Sequence, residues 1–238
     1  RADYCPGITD LAGAVVPEII AAADGRVWTA TQNGVSVFAN GRWQNPIDAG
    51  ALPSPAVRAL TAAADGLWIG VEQGLAYYDF AAQTLTHEPA LAGQHVQDLQ
   101  LDGAGRLWLL TEAGDLLVRR NDGQWLAAAD VRQGLPEGAR VVAFFVAANQ
   151  EDVAFVAVEG QGIFRWDGSA WAQYGLHDEW LDGRILVLRL DDDGRSLWIG
   201  SNIGVGRLDE VGLTVYDARD GAASGAIRSI VPTPQDGY

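Results

Sequence analysis

The chain has 238 residues, 48% of them hydrophobic and 20% charged, a composition that excludes a disordered polymer and allows a sizeable core. Its 31 acidic side chains against 16 basic ones give a formal charge of −15, which makes nucleic acid and anionic membranes poor partners. No run approaches the ~18 to 20 apolar residues of a membrane span, and the start, Arg1, does not resemble a signal peptide.

All the basic residues are Arg and Met is absent, as in a processed or partial product of a high-GC genome, so further sequence is expected outside this chain. Internal repetition organises what is here. Ala2 to Tyr4 reads as the tail strand of a repeat, followed by a loop; Cys5 has no partner for an internal disulfide. The first full repeat then opens with the apolar segment Val16 to Ile19, passes the Asp24-Gly25 turn, carries Trp28, turns again at Gly34 and ends on the strand around Trp43. The second gives Val57 and Leu60, Asp65-Gly66, Trp68, Gly74 and Leu85. The third gives Val96 and Leu99, Asp102-Gly103, Trp108, Gly114 and Trp125. The fourth is degenerate, with Val142 and Phe145, Phe155 in the tryptophan's place, Gly162 and Trp171. The fifth restores the pattern with Ile185 and Leu188, Asp193-Gly194, Trp198, Gly204 and Val215. Ile227 and Ile230 open a sixth.

Each piece has a physical role. The V-x-x-L segments suit a first strand buried on both faces. Asp-Gly supplies the positive φ of a tight hairpin, and the tryptophan fills the space between neighbouring sheets. Four strands per repeat with no helical periodicity predict an all-β fold, a β-propeller of four-stranded antiparallel blades, because radial repetition protects sheet edges. A solenoid competes, but its repeats are shorter with fewer strands. The blades are expected at 15–50, 56–90, 95–129, 140–175 and 184–219, with a partial one at 226–238 and a contribution from 1–5, all in one domain.

The stretches VRALTAAADGLWIGVEQGLAYYD, LWLLTEAGDLLV and LDDDGRSLWIGSNIGVGRLD resemble the two-component regulator propeller repeat, with its I-x-x-D-x-x-G-x-L-W-I-G-T-x-x-G-L pattern. The connections QGLPEGARVV and YGLHDEW are also similar to that family's. The resemblance implies the periplasmic or extracellular input region of a bacterial sensor. Departures are visible: Val71 and Ser201 replace the threonine after W-I-G, and the fourth copy lacks both tryptophan and Asp-Gly. A fainter likeness, in Gly-x-x-Trp, is to the streptogramin-lyase propellers. The aspartate box of sialidase propellers is not matched.

No catalytic constellation is visible. His87, His95 and His177 fall at different repeat positions without metal-ligand spacing. Asp191 to Gly194 and Asp217 to Gly221 lack the ligand set of a calcium loop, so no metal or cofactor is expected. Binding is the more natural task, on the face where the connections 45–56, 88–94, 127–139, 174–183 and 217–225 gather. The fourth connection is the richest, with Tyr174, His177, Trp180 and Arg184 mixing aromatic faces and polar groups. Arg58, Gln97 and Arg228 share the repeat position after the first apolar residue, where guanidiniums can hold an anion or pair with carboxylates. A small molecule, a glycan or a protein is the expected partner. An assembly subunit is the alternative, and a propeller lyase or hydrolase stands behind both.

Overall fold

The computed structural model describes residues 11–231 except 23, 149, 151, 175–183, 192–193, 217 and 222–224. They form five antiparallel sheets, four of four strands and one of three. The residues divide into two compact units, Arg1–Leu101 with Leu107–Ala113, and Asp102–Arg106 with Gly114–Tyr238.

In the first unit, β1 (Glu18–Ala21), β2 (Val27–Thr31), β3 (Gly34–Ala39) and β4 (Arg42–Gln44) pair in sequence order. So do β5 (Val57–Ala62), β6 (Gly66–Val71), β7 (Gly74–Asp79) and β8 (Thr84–His87), while β9 (Val96–Leu101) pairs with β10 (Leu107–Thr111). In the second unit, β11 (Leu116–Arg119) is the third strand of that sheet. It is followed by β12 (Val141–Val146), β13 (Ala154–Val158), β14 (Gly162–Trp166) and β15 (Trp171–Gln173). The last sheet holds β16 (Ile185–Leu190), β17 (Leu197–Ser201), β18 (Val205–Leu208) and β19 (Leu213–Tyr216).

The registers make the repeat quantitative. Trp28, Trp68, Trp108, Phe155 and Trp198 lie opposite Ile20, Thr61, Gln100, Phe145 and Arg189, in every case the penultimate residue of the first strand. Trp28, Trp108 and Phe155 are buried; Trp68 and Trp198 are only half-buried, short of the burial the pattern suggested. The core between successive sheets follows from strand alternation. Trp28, Ala30, Val35 and Val37 on one face of the first sheet pack with Leu60, Ile69, Val71 and Ala76 on the second. In the second unit Phe145, Phe155 and Ala157 meet Leu188 and Ile199 in the same way.

Several expectations need correction. The register places Val141 opposite Val158 as Val57 lies opposite Val71, so the fourth repeat starts one residue earlier than Val142. Trp125 contributes only a bridge to Arg119, and no full fourth strand follows β11. The Asp-Gly rule holds for Gly25 and Gly194 but not for Gly66 or Gly103; Gly105 takes the positive φ in the third turn. Gly66 is needed for space instead, because a Cβ there would collide with the Tyr77 ring. A short helix, α1 (Ala128–Val131), interrupts a connection read as irregular, and the Trp171 indole N–H donates to Val131 O at 2.7 Å.

The family's threonine also gains an explanation. Thr31 and Ser201 each donate their hydroxyl to the carbonyl of the turn glycine, Gly34 at 2.8 Å and Gly204 at 3.1 Å, and each accepts the N–H two residues on. Val71 cannot do this. The glycine of W-I-G is explained by close approach, since a Cβ on Gly70 would strike Val96, and one on Gly200 would strike Ile227. Ile227 thus stands to the fifth sheet as Val96 stands to the second, although residues 226–231 form no strand.

Candidate functional site

The same irregularity recurs at the start of four first strands. Register shifts fall between Val57 and Ala59, Val96 and Asp98, Val141 and Ala143, and Ile185 and Val187. Each leaves one extra residue, Arg58, Gln97, Val142 or Leu186, out of the ladder as a β-bulge. Its neighbours in the ladder, Val57, Val96, Val141 and Ile185, are buried and apolar. The bulged side chain varies between Arg, Gln, Val and Leu: Arg58 and Gln97 are exposed, Leu186 is half-buried and Val142 packs against the core.

In the first unit the bulge exposes Arg58 and Gln97 on β5 and β9. Arg58 is not without a partner: its guanidinium pairs with Glu72, Nε lying 3.1 Å from Oε1. His95 Nδ1 lies 2.7 Å from Glu112, and His87 Nε2 lies 2.7 Å from the Ala51 carbonyl, so these histidines serve local contacts. In the second unit Arg228 is exposed beside Ile227, whose N–H donates to Ser201 O. Arg184 is exposed, its N–H donating to Asn202 Oδ1 at 3.0 Å. Tyr174 has its ring edge-on to Phe155 at 5.2 Å, and its hydroxyl donates to the Arg195 carbonyl. Burial raises its phenol above the ordinary value. The ring of Tyr174 therefore serves packing first. His177, Trp180 and Cys5 lie outside the described residues.

Sequence reasoning missed Glu18, and it took Asp98 only as a candidate partner for the arginines, whereas Asp98 bonds the Leu99 N–H and Gln100. Both occupy the residue two places before the tryptophan's partner, Glu18 opposite Ala30 and Asp98 opposite Leu110. Glu18 Oε2 accepts the Leu60 N–H at 2.6 Å, and Asp98 Oδ1 accepts the register-equivalent Leu99 N–H at 2.7 Å. The two carboxylates thus cap equivalent N–H groups of neighbouring first strands. Burial pushes Glu18 up to about 8, against the stabilising Leu60 N–H, and repulsion from Asp98 adds to it. The Asp98 carboxylate is enclosed although its residue keeps some exposure, and burial pushes it up to about 6. For Glu18 the signal was in the sequence, an acid beside Ile19, Ile20 and Ala21 in a short first strand; Asp98 stands among the polar Gln97 and Gln100.

Among the described residues no group of three or more metal-ligating side chains assembles, and no helix is long and apolar enough to cross a membrane.

No protein-family model matches the sequence, and no curated protein matches it. Solved structures do. The chain is similar to a streptogramin B lyase, with TM-score 0.66 and 16% identity over 87% of this chain and 70% of that one. It is similar to the extracellular domain of the hybrid two component system BT3049 from B. thetaiotaomicron, with TM-score 0.67 and 14% identity over 92% of this chain and 31% of that one. It is also similar to PorZ, a bacterial surface component of the type-IX secretion system of Porphyromonas gingivalis, with TM-score 0.66 and 16% identity over 85% and 34%. At such identities the likeness is one of fold: an all-β, propeller-like fold. The chain spans only about a third of the sensor ectodomain and of PorZ.

Proposed function

We propose that this chain is a non-enzymatic binding module: five propeller blades, the third of them three-stranded, and part of a sixth, working in the periplasm or outside the cell. It holds a small molecule, a glycan or a protein on the face that bears the connections between blades. The observation that carries this reading is the bulge repeated at one register, which in the first unit leaves Arg58 and Gln97 exposed beside the buried Val57 and Val96. Extracellular sensor domains among its structural neighbours support the compartment. Arg58, Gln97, Tyr174, His177, Trp180, Arg184 and Arg228 are the proposed contact residues, Trp180 and the arginines being the strongest anchors by type.

The test is binding of a glycan and peptide panel to the protein and to its Trp180→Ala and Arg184→Ala variants, with thermal unfolding as a fold control. Loss of binding in correctly folded variants supports the assignment; a ligand bound normally by both variants overturns it. An assembly subunit is the second reading, favoured by the likeness to PorZ, and it requires a stoichiometric complex on purification. A lyase or hydrolase is the third, favoured by the raised carboxyl of Glu18 beside Asp98.

A further inference from the structure

A side-chain amide is open to attack by the next backbone nitrogen when asparagine precedes glycine, because glycine has no Cβ to shield that nitrogen. The chain holds two such pairs, Asn33-Gly34 and Asn40-Gly41. The other described asparagines are tied down: Asn45 accepts from the Ser36 hydroxyl, Asn121 donates to the Ala104 carbonyl at 2.7 Å, and Asn202 accepts the Arg184 N–H. None of these three precedes a glycine.

The two pairs are placed differently. Gly34 is buried in β3, in the ladder opposite Thr31, whose hydroxyl donates to the Gly34 carbonyl and accepts the Asn33 N–H. A Cβ on Gly34 would lie 3.3 Å from the Ala49 methyl, so the surroundings are tight. Asn40 and Gly41 are both exposed and form the turn between β3 and β4, outside a ladder whose last pair is Ala39 with Arg42. A Cβ built on Gly41 meets nothing within 4 Å, and among the described residues no hydrogen bond holds the Asn40 carboxamide. Their positive φ, 53° and 76°, is that of an ordinary hairpin turn, which must open for the two groups to meet. β4 is an outer strand of three residues, so that opening breaks few bonds.

We propose that Asn40 is a site of spontaneous covalent modification, where the side-chain amide is lost and the backbone isomerises through a cyclic imide. The Gly41 nitrogen gives its proton to water and bonds to Asn40 Cγ, the Cγ–Nδ2 bond breaks, and Nδ2 leaves as ammonia. A water molecule then opens the imide. Opening at Cγ yields aspartate; opening at the former Asn40 carbonyl yields isoaspartate, whose main chain runs through Cβ and Cγ. The balance is a water consumed and an ammonia released, with nothing oxidised or reduced. Either product adds a negative charge to the formal −15. Isoaspartate also lengthens the turn by a backbone atom, which the pairing of Ala39 with Arg42 cannot absorb, so β4 loosens from β3. The site shares no residue with the proposed loop-face site, so either stands or falls alone.

The experiment ages the whole folded chain at mildly alkaline pH in heavy-oxygen water and follows both Asn-Gly pairs by site-resolved mass spectrometry that tells isoaspartate from aspartate. Asn40 is expected to take up a heavy oxygen, to give isoaspartate beside aspartate, and to convert at least about ten times faster than Asn33. In concentrated urea the two pairs are expected to convert at similar rates, so the difference reads the fold. Asn40→Gly, which suits the positive φ of the turn, is expected to remove the product and leave the rate at Asn33 unchanged. Equal rates at the two pairs in the folded chain, aspartate formed without isoaspartate, or an Asn40 that stays intact while the urea-unfolded chain converts overturns the proposal.

Discussion

Replacing Glu18 with Gln should make the protein's stability less dependent on pH between 6 and 8. The Glu18 carboxyl is raised from 4.5 to about 8, chiefly by burial. A carboxyl raised in the folded state binds its proton more tightly there than in the unfolded chain. Its effect is a loss of stability as pH climbs from about 4.5 to about 8, with no further change above. Asp98 acts in the same direction but is spent near its value of about 6, so the window from 6 to 8 belongs to Glu18 in this pair. At about 1.4 kcal/mol per pH unit, two units correspond to roughly 3 kcal/mol. Around Glu18, β5 contributes the Leu60 N–H and β9 contributes Asp98. Gln can still accept the Leu60 N–H, so the fold should survive. Urea unfolding at pH 6, 7 and 8 reads the effect directly. Native protein should lose roughly 3 kcal/mol more than Glu18→Gln across that range. Equal slopes, or a variant less stable than native at pH 8, would refute the reasoning.

Trp28→Ala, which empties a fully buried site, should cost about 3 to 5 kcal/mol, whereas Trp198→Ala should cost visibly less because that ring is half-exposed; paired denaturation curves check the order. Asp102 is buried and bonds Arg106, which also reaches Asp152 at 2.8 Å, so Asp102→Ala should cost on the order of 2 to 4 kcal/mol by thermal unfolding. Arg58→Ala breaks only an exposed pair with Glu72 and should change stability by less than about 1 kcal/mol, while weakening any partner held at the bulge position; denaturation and binding assays together separate the two effects.

The repeat was legible because its markers answer to packing. Tryptophan and its replacement Phe155 stand at one register since each must fill the same space between sheets, and the turn glycines Gly34, Gly74, Gly114, Gly162 and Gly204 all take positive φ. The one-residue error at Val141 came from the bulge: an extra residue outside the ladder breaks the alternation by which an apolar run is aligned. The missing fourth strand after β11 was hidden because Trp125 looks like any outer-strand aromatic, yet α1 follows within three residues. Ile19 shows the limit of local patterning. It occupies the position of Leu60, Leu99, Phe144 and Leu188, which are at most 3% exposed, yet is itself 64% exposed. Burial there depends on a preceding sheet, which no window of sequence around Ile19 encodes. Of the candidate site, the repeat position shared by Arg58 and Gln97 is the register of the bulge, whereas the Phe155 ring beside Tyr174 is visible only in the fold.

The central claim, that this is a module binding through its inter-blade connections, is tested most directly by hydrogen–deuterium exchange with and without a panel ligand that the Trp180→Ala and Arg184→Ala variants fail to hold. The account predicts slowed exchange in the connections 45–56, 88–94, 127–139 and 174–184 and at the bulges of Arg58 and Gln97, with no chemical change in the recovered ligand. Slowed exchange confined to other segments, or a ligand recovered as product, would contradict it.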